Sequence, residues 1–132
     1  MEKWRRVWRE GIAPQVSPAG LMALRTALER NDARLLQGRI SSPPALPTVR
    51  DGTVKGACSI GYCGWQGEGL TSAAQVEAYF HAICDAVDAA FNEPAACRYL
   101  LNWYDDTPRT QIRHELLAEV HLSLARHTPA AA

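Results

Sequence analysis

Apolar side chains recur along most of the chain at intervals of three and four residues, the spacing that gathers them on one face of a helix. In the first segment, roughly residues 2–12, Trp4, Val7, Trp8 and Ile12 keep this spacing with Arg5, Arg6 and Arg9 between them, and Pro14 ends it. A second helix is expected over 18–30 on the stripe Leu21, Leu24 and Leu28. Asn31-Asp32 breaks the pattern and opens a short helical piece over 33–37, closed by Gly38. Residues 39–52 hold three prolines and no period, which predicts one long Pro-rich loop.

Beyond the loop, Val54, Cys58, Tyr62 and Trp65 follow a helical path and predict a helix over 53–65. Gly56, Gly61 and Gly64 would each weaken it by about 1 kcal/mol relative to Ala, while letting a neighbouring backbone come close. The clearest helix is expected over 71–91, capped by Thr71 or Ser72. Val76, Phe80, Ile83, Val87 and Phe91 form its inner face, and Glu77, His81, Asp85 and Asp88 its wet one. The stretch 94–104 is apolar nearly all round, with only Arg98 and Asn102 as a polar strip, which predicts a central helix. Ile112, Leu116, Leu117, Val120 and Leu124 mark the inner face of a last helix over 108–126, and 128–132 reads as a disordered tail.

Three helix starts share one signal, a polar residue before proline: Ser17-Pro18, Glu93-Pro94 and Thr107-Pro108. Proline at the first helical position loses only an N–H that had no partner, and Ser or Thr before it caps the next ones. No strand-like alternation of four or more residues occurs. The expected architecture is all-α: a compact single-domain bundle of five to six helices over 1–127.

Composition supports this. With 132 residues and 47% hydrophobic content, the chain has enough apolar material for one real core, and disorder is excluded. No apolar run reaches the roughly 20 residues of a membrane span, and residues 1–6 lack the apolar stretch of a signal peptide. The expected location is therefore cytoplasmic, with Cys58, Cys63, Cys84 and Cys97 as reduced thiols. Lys plus Arg balance Asp plus Glu at 14 each, but unevenly: residues 1–40 carry +4 and residues 71–106 carry −5. A basic N-terminal part thus has an acidic middle as partner, within the molecule or across a symmetric contact.

The candidate chemistry is sparse. Trp4, Arg5, Trp8 and Arg9 mix indoles with guanidinium groups, as single-strand nucleic-acid binders do. The two tryptophans share a face, however, so the pattern reads first as indoles pressed into a core or a protein partner. Zero net charge disfavours nucleic acid, whose affinity comes mainly from phosphate neutralisation. Residues 61–70 (GYCGWQGEGL) form a glycine-rich edge presenting Tyr62, Trp65 and Glu68 as partner-binding candidates.

A zinc site would need Cys58, Cys63, His81 and Cys84 to converge. Cys58 and Cys63 are five apart, about 140° around a helix, so they meet only if the stretch unwinds at a glycine. Cys63 could serve as a nucleophile if His81, His114 or His121 approached it. Cys63-Gly64-Trp65 resembles the nucleophile segment of papain-like proteases over three residues, without the family's Gln and second Cys, and no role is carried over from it. His114 and His121 stand about 10.5 Å apart along their helix, too far for one metal. Phosphate-loop, dinucleotide-binding, nucleophile-elbow and zinc-protease motifs are absent.

The expectation is therefore a non-catalytic helical interaction module, open to self-association, with no cofactor and a protein partner or a second copy as its target. A small nucleic-acid binder using the basic N-terminal helix is one alternative; a thiol or zinc protein centred on Cys58, Cys63 and Cys84 is the other.

Overall fold

The computed structural model describes residues 1–48 and 52–127. The expected tail, 128–132, and residues 49–51 of the Pro-rich loop lie outside the described residues. Helix α1 (Lys3–Arg6) runs on without a break into a π-helical stretch, Val7–Ile12, and a 3-10 turn, Ala13–Gln15. Helix α2 (Pro18–Arg30) starts as its sequence signal indicates: the Ser17 hydroxyl accepts from the Gly20 N–H at 3.0 Å, and Asn31 ends the helix in the left-handed conformation. Strands β1 (Ser41–Ser42) and β2 (Gly56–Ala57) form an antiparallel pair. Then come α3 (Ser59–Tyr62) with a π-helical continuation, Cys63–Gly67, α4 (Ala73–Phe91), α5 (Arg98–Asp106) and α6 (Arg109–His127). Ser72 and Gln75 close a capping box at the start of α4. The domain is all-α apart from the small strand pair.

Three expected elements differ. The helix over 53–65 begins only at Ser59, with Cys58 as its cap. Residues 54–58 are extended because non-local partners hold their backbone: Lys55 N–H donates to Ser42 O, Ala57 N–H to Arg34 O and Cys58 N–H to Ile40 O. The piece over 33–37 is not helical either, since Leu35 bridges Ala57 and the Leu36 N–H donates to Ala57 O at 2.7 Å. The Pro-rich loop therefore contains a strand, and residues 34–42 form with 54–58 a small knot of backbone hydrogen bonds.

The third difference concerns 94–104. Helix α5 starts at Arg98, because Ala95 takes a left-handed conformation (φ 60°) after Pro94 and turns the chain back toward α4. Nor is α5 central. Leu100 and Tyr104 are its buried residues, while Tyr99, Leu101 and Trp103 are half-buried at the edge. The middle is filled instead by Trp8 and Ile12, by Leu21, Leu24 and Leu28 of α2, and by Ile112, Leu116 and Val120 of α6. An all-round apolar helix at the edge is accounted for by large side chains that bury one flank: the Trp103 ring stacks on Trp4 with centroids 3.6 Å apart.

Glycines set one close crossing. A Cβ on Gly67 would lie 2.3 Å from the Gly20 Cα, so the Cys63–Gly67 stretch rests directly on the start of α2, backbone to backbone. At Gly61 a Cβ would stand 3.0 Å from the Ile40 carbonyl oxygen, which is the close approach that the glycines in this stretch were expected to allow.

Candidate functional site

The basic, aromatic N-terminal segment is used inside the molecule. Trp8 has no exposed surface, and its indole N–H donates to the Ser123 hydroxyl of α6 at 3.0 Å. Trp4 is buried under Trp103, and the Arg5 guanidinium lies over its ring. Arg5 and Arg9 both bind Glu119, a carboxylate with 3% of its side chain exposed, at 2.8 and 2.5 Å. Burial alone would raise the Glu119 carboxyl, but the hydrogen bonds from Arg9 and Arg5 outweigh it and hold the group below its ordinary value. These arginines thus find their partner on α6, not in the acidic stretch 71–106. Arg6 and Lys3 instead lie over the rings of Phe91 and Tyr99, at the acidic stretch's helices.

The glycine-rich edge splits likewise. Tyr62 is buried, and its hydroxyl donates to Asp32 at 3.1 Å. Arg34 grips the same Asp32 and holds its carboxyl well below the usual carboxylate range. Trp65 is half-buried, edge-on to Tyr62 and under the Arg34 guanidinium, and Glu68 is exposed. Trp4 and Trp8 sit with α5 and α6, so they form no common surface with Trp65 and Glu68.

The cysteines divide into two roles. Cys63 is fully buried, its thiol donates to the Ser59 carbonyl at 3.3 Å, and burial pushes its ionisation far up. With no exposed surface, this thiol has no access to a reactant. Cys58 accepts from the Gly61 N–H, and burial raises it to about 12. Among the described residues, no three His, Cys, Asp or Glu side chains gather where they could hold a metal ion. His81 stands exposed on α4, edge-on to Phe80.

Cys84 and Cys97 do come together. The Cys97 thiol donates to the Cys84 sulfur at 3.0 Å, joining the middle of α4 to the residue that precedes α5. The left-handed turn at Ala95 places Cys97 there, and Asp88 fixes it by accepting the Cys97 backbone N–H at 2.9 Å. Cys84 is half-buried and Cys97 is 2% exposed, so Cys84 is the more open residue of the pair. The hydrogen bond shared with Cys97, then burial, then the charges of Asp88 and Asp85 drive the Cys84 thiol well above its ordinary value. This pair was not apparent in the sequence, where Cys97 reads as one more apolar position of a helix beginning at Pro94. The turn signal Asn92-Glu93-Pro94, read as a fold-back rather than a helix start, would have suggested it.

Both sulfurs line a cleft of about 400 Å³ between α4, α5 and the backbone knot, a size suited to a small ligand. Phe80, Leu101 and Tyr104 give it an apolar wall, and Cys58 lies at its floor. Arg39, His81, Asp88, Arg98 and Asp105 also line it. Chemically, the arrangement offers two neighbouring thiols, one on a half-buried residue and one on a buried residue, beside a space for a reactant. Among the described residues, no helix is long and apolar enough to cross a membrane. In comparison with known proteins, the chain matches no family model, no curated protein and no solved structure.

Proposed function

We propose that this is a helical thiol-redox protein whose working chemistry is the interconversion of the Cys84–Cys97 dithiol and disulfide. The observation that carries this reading is the 3.0 Å contact between the two sulfurs at the wall of the cleft. A disulfide needs about 2.05 Å between sulfurs, so closure asks the pair to approach by about 1 Å. The electrons go to a low-molecular-weight disulfide, which is reduced to two thiols as the protein pair is oxidised. In a reducing compartment such as the cytoplasm, the dithiol is the resting form. The expected thiol function thus moves from Cys58, Cys63 and Cys84 to Cys84 and Cys97.

The interaction-module reading is less well supported, since it drew on aromatic side chains that the fold uses internally. A nucleic-acid reading loses Arg5 and Arg9 to Glu119. The test is a count of free thiols after equilibration in oxidised and reduced dithiothreitol mixtures. The expected result is four thiols in the reduced protein and two fewer after oxidation. Cys84→Ser and Cys97→Ser should each abolish that loss, and Cys63→Ser should keep it. A count that stays at the reduced value across the whole range would overturn the proposal.

A further inference from the structure

The charged side chains that line the cleft are of both signs. Arg39 and Arg98 are exposed, and neither makes an ion pair among the described residues. Asp88 and Asp105 each accept a backbone N–H on one oxygen, from Cys97 and from Gly38, and both line the cleft. A purely anionic ligand would meet the two carboxylates, and a purely cationic one the two guanidinium groups. A ligand carrying an ammonium and a carboxylate on one carbon frame answers both.

We propose that the cleft beside Cys84 and Cys97 binds zwitterionic low-molecular-weight disulfides, the amino-acid or short-peptide type, as the oxidising partner of the pair. This rests on the dithiol reading above and names its substrate class. Cys84, the less buried of the two residues, loses its proton to water and its sulfur attacks one sulfur of the bound disulfide. The ligand's S–S bond breaks, and one half leaves as a thiolate that takes a proton from solvent. The other half stays on Cys84 as a mixed disulfide. The sheltered Cys97 thiol gives its proton to solvent and its sulfur attacks the Cys84 sulfur; the protein disulfide forms and the second half leaves as a thiolate, which takes a proton from solvent. The protein pair loses two electrons and the ligand gains them.

The experiment measures the rate of disulfide closure in the reduced full chain with four probes: cystine (zwitterionic), cystamine (cationic), 3,3′-dithiodipropionate (anionic) and bis(2-hydroxyethyl) disulfide (neutral). Each rate constant is divided by the one the same probe gives with free dithiothreitol, which removes the probes' intrinsic reactivities. The expected result is a normalised rate about tenfold higher for cystine than for any other probe, a scale that two or more exposed ion pairs reach together. Arg98→Gln and Arg39→Gln should lower that advantage severalfold, and Arg126→Gln, remote from the cleft, should retain it. Circular dichroism verifies that each variant is folded. Equal normalised rates for all four probes, or a preference for the cationic or anionic one, would overturn the ligand assignment and leave the dithiol reading standing. Absence of closure with every probe would overturn both.

Discussion

The buried indole N–H of Trp8 donates to the Ser123 hydroxyl, whose own proton goes to the Glu119 carbonyl at 2.8 Å, so one relay ties the first helix to the last across 115 residues of sequence. Removing the hydroxyl leaves a buried donor without an acceptor, which costs about 1–3 kcal/mol. Ser123→Ala should therefore lower the unfolding free energy by that amount in a urea titration. A neutral result would mean that the indole finds another acceptor.

Glu119 makes the same helix pair sensitive to acid. Its folded carboxyl titrates below the ordinary 4.5, so the unfolded chain binds the proton more readily as pH falls. The stability it contributes is fully present above about pH 4.5 and is lost as pH falls through the folded value. Glu119→Gln should cost about 1–3 kcal/mol at pH 7, below the value for a wholly buried pair because Arg5 and Arg9 are partly exposed. Urea unfolding at a series of pH values between 3 and 7 should show a shallower acid limb in the variant than in the wild type.

Two glycine substitutions separate crowding from backbone strain. Gly67→Ala drives a methyl into the Gly20 backbone, which cannot rotate away, and should cost at least about 3 kcal/mol. Gly69→Ala meets no atom within 4 Å but sits at φ 78°, so its cost should be only about 1–2 kcal/mol. Melting temperatures of the two variants test this order.

The raised Cys84 thiol predicts a pH profile for closure. Only the thiolate attacks a disulfide, and below its pKa the thiolate fraction grows tenfold per pH unit. Closure by bis(2-hydroxyethyl) disulfide should therefore accelerate about tenfold per unit from pH 7 to 9, followed by stopped alkylation. A profile that levels off by pH 8 would contradict the electrostatic account of the pair.

Much of the fold is legible in the sequence where the determinants are local. Ser17 and Ser72 cap the helices that the pattern places after them. Leu21, Leu24 and Leu28 of α2, Val76, Phe80, Ile83 and Val87 of α4 and Ile112, Leu116 and Val120 of α6 are buried as their spacing indicates. Phe91, Leu117 and Leu124 are half-buried, and Glu119 and Ser123 join the inner face of α6. What is not legible depends on partners far along the chain. Val54 and Cys58 are four apart and look helical, yet their segment is extended because residues 34–42 supply its hydrogen bonds. The all-round apolar character of residues 94–104 resembles that of a central helix, but it reflects an edge position where Trp103 covers Trp4. The Cys84–Cys97 pair depends on a left-handed alanine, a conformation that alanine's own preferences disfavour. For the same reason, the N-terminal tryptophans could be read as a surface: their burying partners, Trp103 on α5 for Trp4 and α6 for Trp8, lie far along the sequence.

The central claim is most directly tested by mapping which cysteines link when the folded chain is oxidised by a small disulfide and digested without reduction. Asp85 and Asp88 lie between Cys84 and Cys97, and Glu68 lies between Cys63 and Cys84, so cleavage at acidic residues puts each member of the pair on its own peptide. The predicted result is a single cross-linked species joining the Cys84 and Cys97 peptides, with Cys58 and Cys63 recovered as thiols. A link through Cys58 or Cys63, or four free thiols after oxidation, would contradict it.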